Sequence, residues 1–228
     1  MNLLCRLPRV VALPVLALLA AALAGCASRE PRPTLLTVPA AARPAQGASV
    51  SSITPVPRQP GAVLAVRRLG LPEYIQARRV RYRADASTLA EWPNTFWAER
   101  IEVGLAREFQ AALRQALPGW QLCDDDCSER NATLSVQVDL APLDFVRNRL
   151  TLQAHARIVV SSLPAASAGG KPGTVAAPPR PLLTLERNFE LAASADTPQA
   201  HAQTLSDLLE ALAFAVAETA QRAQAAPR

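Results

Sequence analysis

The chain has 228 residues, 24 basic and 19 acidic side chains and a formal charge of +5. A mild excess spread along the chain is not the footprint of a nucleic-acid-binding protein. This length suits one domain with tails, whose core buries enough surface to need no stapling by disulfides or metal. The basic residues are almost all Arg, with 20 Pro and abundant Ala, a composition that reflects a GC-rich coding bias more than a function.

The first elements lie at the N-terminus. Residues 1–9, MNLLCRLPR, carry Arg6 and Arg9 without an acid, and Val10 to Leu23 is apolar throughout. A positive segment followed by an apolar run is the order of an export signal. The run falls short of the roughly 20 residues that span a bilayer as a helix. It ends in Leu23-Ala24-Gly25-Cys26, which resembles the bacterial lipobox. That resemblance implies a leader at 1–25, a diacylglycerol on the Cys26 thiol, cleavage before Cys26 and acylation of its new amino group. Sulfur is the nucleophile that takes the lipid, and small neighbours let the backbone enter the processing site. Ala27 follows, not the Asp that retains such lipoproteins in the inner membrane, so the resemblance favours the outer membrane, facing the periplasm. Losing Arg6 and Arg9 with the leader lowers the formal charge by two from +5.

From Cys26 to about residue 60 the sequence is rich in Pro, Ala and Ser, a tether composition interrupted at "TLLTVPA" by a short strand expected over 35–38. If flexible, about thirty such residues reach roughly 30 Å. The folded domain is expected over 61–222, with a tail at 223–228. It opens with Val63 to Val66 as a buried strand and Gly70 with Pro72 as a break. In "QARRVRYRAD", Val80 and Tyr82 share one face of a strand while Arg79, Arg81 and Arg83 share the other. A solvated strand face explains this pattern; attraction to phospholipid headgroups or to an acidic partner is the functional alternative.

Asn94 to Leu117 reads as a helix. Trp97, Ile101, Leu105, Phe109, Ala112 and Leu113 recur at intervals of three and four, Thr95 or Asn94 is available as a cap, and Pro118-Gly119 stops it. Next comes "CDDDC". Cys5 leaves with the leader and Cys26 takes lipid, so Cys123 and Cys127 remain, and in an oxidising compartment they are expected to form a small-loop disulfide. A closure this short contributes about 2 kcal/mol in the loop-entropy model. A metal site of thiolates and carboxylates is the alternative, although no histidine lies near and zinc wants four good ligands.

"TLSVQVDL" alternates with Leu134, Val136, Val138 and Leu140 inward, and its expected partner "LTLQAHARIV" turns Leu150, Leu152, Ala154, Ala156 and Ile158 inward, leaving His155 on the polar face. Residues 161–180 form a low-complexity loop. "LLTLERNFEL" resumes pairing, with Leu183, Leu185, Phe189 and Leu191 on one face beside Arg187. A second amphipathic helix starts near Pro198, capped by Thr197, with Leu205, Leu208, Leu209, Leu212 and Val216 as its buried stripe. The expected fold is α/β: an antiparallel or mixed sheet of five to six strands with two long helices packed on one face.

No nucleophile elbow, Gly-rich phosphate loop or H-E-x-x-H motif is present, and His155 and His201 lie on unrelated elements, so a non-enzymatic protein without metal or cofactor is expected. The order of features resembles the ABC-type transport auxiliary lipoprotein component family, similar to paraquat-inducible protein C. The resemblance rests on Cys26, on "TLLTVP", on "VRRLGLPEYIQARRVRYRADASTLAEWPNTFWAERIEVGLAREFQAAL", on the pair "TLSVQVDLAPLDF" and "LTLQAHARIVV", and on "ERNFEL" before the last helix. Leu71-Pro72-Glu73-Tyr74 through Trp97-Ala98-Glu99 is its most specific part. Two features depart from the pattern, the longer loop at 161–180 and Arg100 directly after Glu99.

The resemblance implies a subunit of a lipid transport system built around an MCE-domain protein, an inner-membrane permease and an ATPase. Its partners would be the MCE-domain protein, the outer membrane through the lipid on Cys26, and other copies of the chain, with no nucleic acid. Each buried acyl methylene contributes about 0.8 kcal/mol, so several chains hold the domain at its membrane. Leu71, Pro72, Glu73 and Tyr74, with Arg79, Arg81 and Arg83, are the candidate interface. Two other classes remain: a stand-alone outer-membrane assembly lipoprotein, and a lipid carrier, which would need an apolar cavity although both helix stripes are engaged in packing.

Overall fold

The computed structural model describes residues 32–40, 62–124, 132–164 and 178–226, within a compact unit that begins at Thr34. Its strands are β1 (Thr34–Leu36), β2 (Val63–Val66), β3 (Arg79–Arg83), β4 (Leu89–Trp97), β5 (Gln121–Cys123), β6 (Leu134–Val146), β7 (Thr151–Ser162) and β8 (Arg180–Ala192). The helices are α1 (Ile101–Ala116) and α2 (Pro198–Ala225), and 3₁₀ turns occupy Glu73–Gln76 and Arg147–Arg149.

β6 is the axis. Its alternation buries Leu134, Val136, Val138 and Leu140 on one face, and β7 pairs antiparallel along its whole length, from Leu134 opposite Ser162 to Val146 opposite Thr151. β8 continues the meander, with Phe189 opposite Ala154 and Leu185 opposite Ile158. The other edge of β6 is divided between two strands. β2 lies parallel to its first residues, Leu64 opposite Leu134, while β3 meets it at Arg83 opposite Val146. Beyond β3 come β4, antiparallel, and β1, parallel to β4; β5 runs parallel to β2. The sheet is therefore mixed, as expected, but has eight strands.

The two extra strands are β4 and β5. Residues 94–97 belong to β4 and not to the helix, which starts at Ile101. Asn94 sits in the left-handed region at φ 48, and Thr95 Oγ1 donates to the Pro93 carbonyl at 2.9 Å instead of capping a helix. Trp97 precedes Ile101 by four residues, a spacing that also fits a helical stripe, yet on β4 its side chain reaches the same core. The N-cap position of α1 is Arg100, without a side-chain capping bond. β1 begins and ends earlier than expected, at Thr34–Leu36, and α2 continues to Ala225, into the stretch read as a tail.

α2 begins as its residues dictate: Thr197 Oγ1 accepts from the Ala200 amide at 3.1 Å, and Pro198 occupies the first turn. It packs on β6, β7 and β8, with α1 alongside it. Alanines at 202, 213, 215, 217, 220 and 223 are buried along α2, and their small side chains permit close approach. Leu208, Leu209, Leu212, Leu105, Leu113 and the inward residues of β6 and β7 form one core cluster. Val63, Ala65 and Cys123 make a smaller cluster, because Leu64 and Val66, which alternate with them, point into the main core. Cys123 is disulfide-bonded; Cys127, Cys26, the leader and most of the 161–180 loop lie outside the described residues.

Candidate functional site

The segment from β2 to β3 runs beside β6 and leaves it midway. The Arg67 amide donates to Val136 at 2.9 Å, Gly70 to Val138 at 2.8 Å, and Leu140 to Gly70 at 2.9 Å. Pro142 then stands in β6 without an amide hydrogen, and the register with β7 slips between Leu140 and Leu143. Opposite this point the chain lifts into the Glu73–Gln76 turn. Tyr74 fills the gap: the Leu143 amide donates to its hydroxyl at 3.1 Å. Burial raises the Tyr74 pKa, and the neighbouring Asp144 raises it further.

A narrow cleft with an enclosed volume of about 30 Å³ opens where β3 and β6 diverge. Its floor comprises Trp97, Ile101, Phe145, His201 and Leu205, all at most 6% exposed. Tyr74, Ile75, Leu89, Arg81, Arg83 and Asp144 form the rim. His201 is stacked on Phe145, centroids 4.5 Å apart, and meets the edge of Trp97 at 6.2 Å. Its Nδ1 is buried without a hydrogen-bond partner. Burial lowers its pKa to about 3, so the floor is uncharged near neutral pH.

The rim is ionic. Arg83 Nη2 donates to Asp144 Oδ1 at 3.0 Å, and this bond raises the Arg83 pKa. Arg83 Nε is 2.9 Å from Asp144 Oδ2, but its N–H is not aimed at that oxygen and makes no hydrogen bond, so this contact is a charge pair only. Arg81 donates to the Tyr74 carbonyl at 3.0 Å and pairs with Glu91 at 3.4 Å; Arg79 pairs with the same Glu91 at 3.4 Å. Arg79 also lies over Phe96, 5.1 Å from the ring centroid.

Of the sequence candidates, Tyr74, Arg81 and Arg83 converge on the cleft. Arg79 stands outside it, Leu71 packs against the core, Pro72 accepts the Ile75 amide, and Glu73 is exposed. Asp144, Phe145 and His201 also line the cleft, and nothing in the sequence marks them as a group. His201 precedes Leu205 by four residues, and that spacing places it on the buried stripe of α2. His155 lies on the polar face, its Nδ1 2.8 Å from Asn188 Oδ1.

A separate cationic pin lies nearby. Arg147 covers Trp92 at 4.3 Å and Tyr82 at 4.8 Å, donates to the Tyr82 hydroxyl at 2.9 Å and pairs with Asp196 at 2.8 Å. These bonds raise its pKa, Asp196 first.

A mixed sheet carrying two helices, with a narrow cleft of ionic rim and aromatic floor between β3 and β6, defines an α/β sandwich. Among the described residues no helix is long and apolar enough to cross a membrane. Residues 46–217 match the family model of the ABC-type transport auxiliary lipoprotein component, and the chain belongs to that family. Two solved structures share the fold. One, an uncharacterised protein, is 13% identical with a TM-score of 0.59, over 82% of this chain and 98% of its own. The other, a DUF330 protein from Xanthomonas campestris, is 14% identical with a TM-score of 0.55, over 86% of this chain and all of its own (100%). No curated protein matches the chain.

Proposed function

We propose that the chain is a non-enzymatic, lipid-anchored subunit of a phospholipid transport system built around an MCE-domain protein. It docks or completes a periplasmic tunnel at the outer membrane, to which lipid on Cys26 tethers it. Family membership over residues 46–217 carries this reading. Supporting it are the lipobox-like Leu23–Cys26 and the absence of Asp after Cys26. Without a membrane-spanning helix among the described residues, acyl chains are the natural anchor, and two or more are needed for stable attachment. The tether from Cys26 to the folded domain then sets how far the domain stands from its membrane.

Crosslinking in intact membranes, followed by purification of the lipidated chain and identification of its partners, tests this. An MCE-domain protein recovered together with a permease, and lost with Cys26→Ala, is the expected result. Recovery of outer-membrane assembly factors alone overturns it.

A further inference from the structure

The chain joins the sheet early. β1 pairs with β4 from Thr34 opposite Thr95 to Leu36 opposite Trp97, so the sheet is entered well before residue 60. The stretch from residue 26 to residue 35 spans at most about 32 Å fully extended, and a flexible coil of that length reaches roughly 17 Å. A domain of this size is about 40 Å across. A lipid on Cys26 therefore keeps the β1 corner of the sheet near the membrane.

That corner carries an apolar pair under a cation. Leu36, Trp97 and Val80 point into the core, so Leu35, Phe96 and Arg79 share the opposite face of their strands. Leu35 lies opposite Phe96, and Phe96 opposite Arg79, in one row across three strands. Leu35 is 58% exposed, and the half-exposed Arg79 covers the Phe96 ring at 5.1 Å. Arg79 and Arg81 share one carboxylate, Glu91. Arg32 and Arg78 are exposed and form no ion pair among the described residues. At the opposite edge of the sheet the same face carries exposed Glu186 and Glu190 on either side of Asn188, against Arg157 opposite Glu186. An anionic bilayer thus attracts the β1 corner more than the β8 edge.

We propose that the β1 corner, Leu35 and Phe96 with Arg79, is the surface on which the domain sits against an anionic phospholipid bilayer. Leu35 and Phe96 enter the head-group layer, and Arg79 keeps its guanidinium at the level of the phosphates. This orientation rests on the lipid anchor at Cys26 proposed above, and needs neither the MCE-domain partner nor the tunnel.

The test uses the mature lipidated chain in vesicles of phosphatidylglycerol and phosphatidylethanolamine. The photoreactive residue p-benzoylphenylalanine is placed at position 35 or, for comparison, at position 188, which lies on the same face five strands away, about 24 Å at ordinary strand spacing. Irradiation should give phospholipid adducts at position 35 about tenfold above those at 188. Arg79→Gln should lower the yield at 35 about fivefold, the worth of one basic residue near an anionic surface, and phosphatidylcholine vesicles should abolish that difference. Equal yields at the two positions overturn the proposal, as do adducts at 35 with a second copy of the chain in place of lipid, or a yield that Arg79→Gln leaves unaltered. If circular dichroism shows Arg79→Gln unfolded, the comparison of positions 35 and 188 decides. The mass of the N-terminal peptide separates the two readings. An unacylated Cys26 overturns anchor and orientation together, whereas an acylated Cys26 without adducts at 35 overturns the orientation alone.

Discussion

The Tyr74 hydroxyl accepts a hydrogen bond from the Leu143 amide at 3.1 Å across the gap where β3 and β6 part. One side chain thus replaces a rung of the sheet ladder, and Leu143 itself is only 3% exposed. An unpaired amide at such a site costs about 1 to 3 kcal/mol. Tyr74→Phe keeps the ring and removes the acceptor, so urea denaturation should show a stability loss of about that size. A loss no greater than that of an exposed change such as Glu73→Gln would show that the amide finds another partner.

His201 makes stability depend on pH. Its pKa is about 3 in the folded chain and near 6.5 when unfolded. The unfolded state therefore binds the extra proton between these values, and stability falls as pH drops from about 6.5 towards 3. The slope for one such group reaches about 1.4 kcal/mol per pH unit. Carboxylates held down in the fold, such as Asp85 and Glu102, lose stability in the same direction. The informative quantity is thus the difference between the wild type and His201→Phe, monitored by chemical denaturation at several pH values. The variant, whose ring can still stack on Phe145, should show the shallower decline below pH 6.5.

Gly70 approaches β6 too closely for a side chain. A Cβ there would stand 2.2 Å from Asp139 Oδ1 and 3.3 Å from Asp139 Cα. The carboxylate can swing away but the backbone cannot. Gly70→Ala should lower the melting temperature, with a cost of about 1 to 3 kcal/mol. Asp139→Ala in the same chain should restore part of the loss, since it removes the nearest clash. Equal stability of the two variants would place the strain in the backbone alone.

Arg147 ties together β3, β4 and the turn before α2 through Tyr82, Trp92 and Asp196. Its stacking on two rings is apolar as well as ionic. Arg147→Met should therefore retain more thermal stability than Arg147→Ala, and added salt should narrow the gap between wild type and the Met variant. If Met is no better than Ala, the charge pair with Asp196 is what matters.

Local periodicity along the chain is enough to specify several elements. The alternation of Leu134 to Leu140 and of Leu152 to Ile158 sets the central hairpin, since a period of two assigns faces without reference to partners; Leu150, expected on the same inward face, instead caps the 3₁₀ turn before β7 at φ 49 and is only half-buried, because the chain turns there. Thr197-Pro198 and the Leu205 to Val216 stripe set the start and buried side of α2 by the same logic at a period near four. Family membership was also legible, because the Leu71 to Glu99 stretch and Cys26 are local strings. The remaining features depend on contacts between segments distant along the chain. Trp97 suits a helix stripe or a strand equally well, and its place in β4 follows from pairing with Leu36 of β1, more than fifty residues away. The three-residue β5 has no periodicity to read and exists because β2 offers it an edge. The cleft joins Tyr74, Arg83, Asp144 and His201 from four separate segments. No spacing along the chain encodes that meeting, which arises because β6 runs past the end of β2 and the incoming chain must rejoin it at β3.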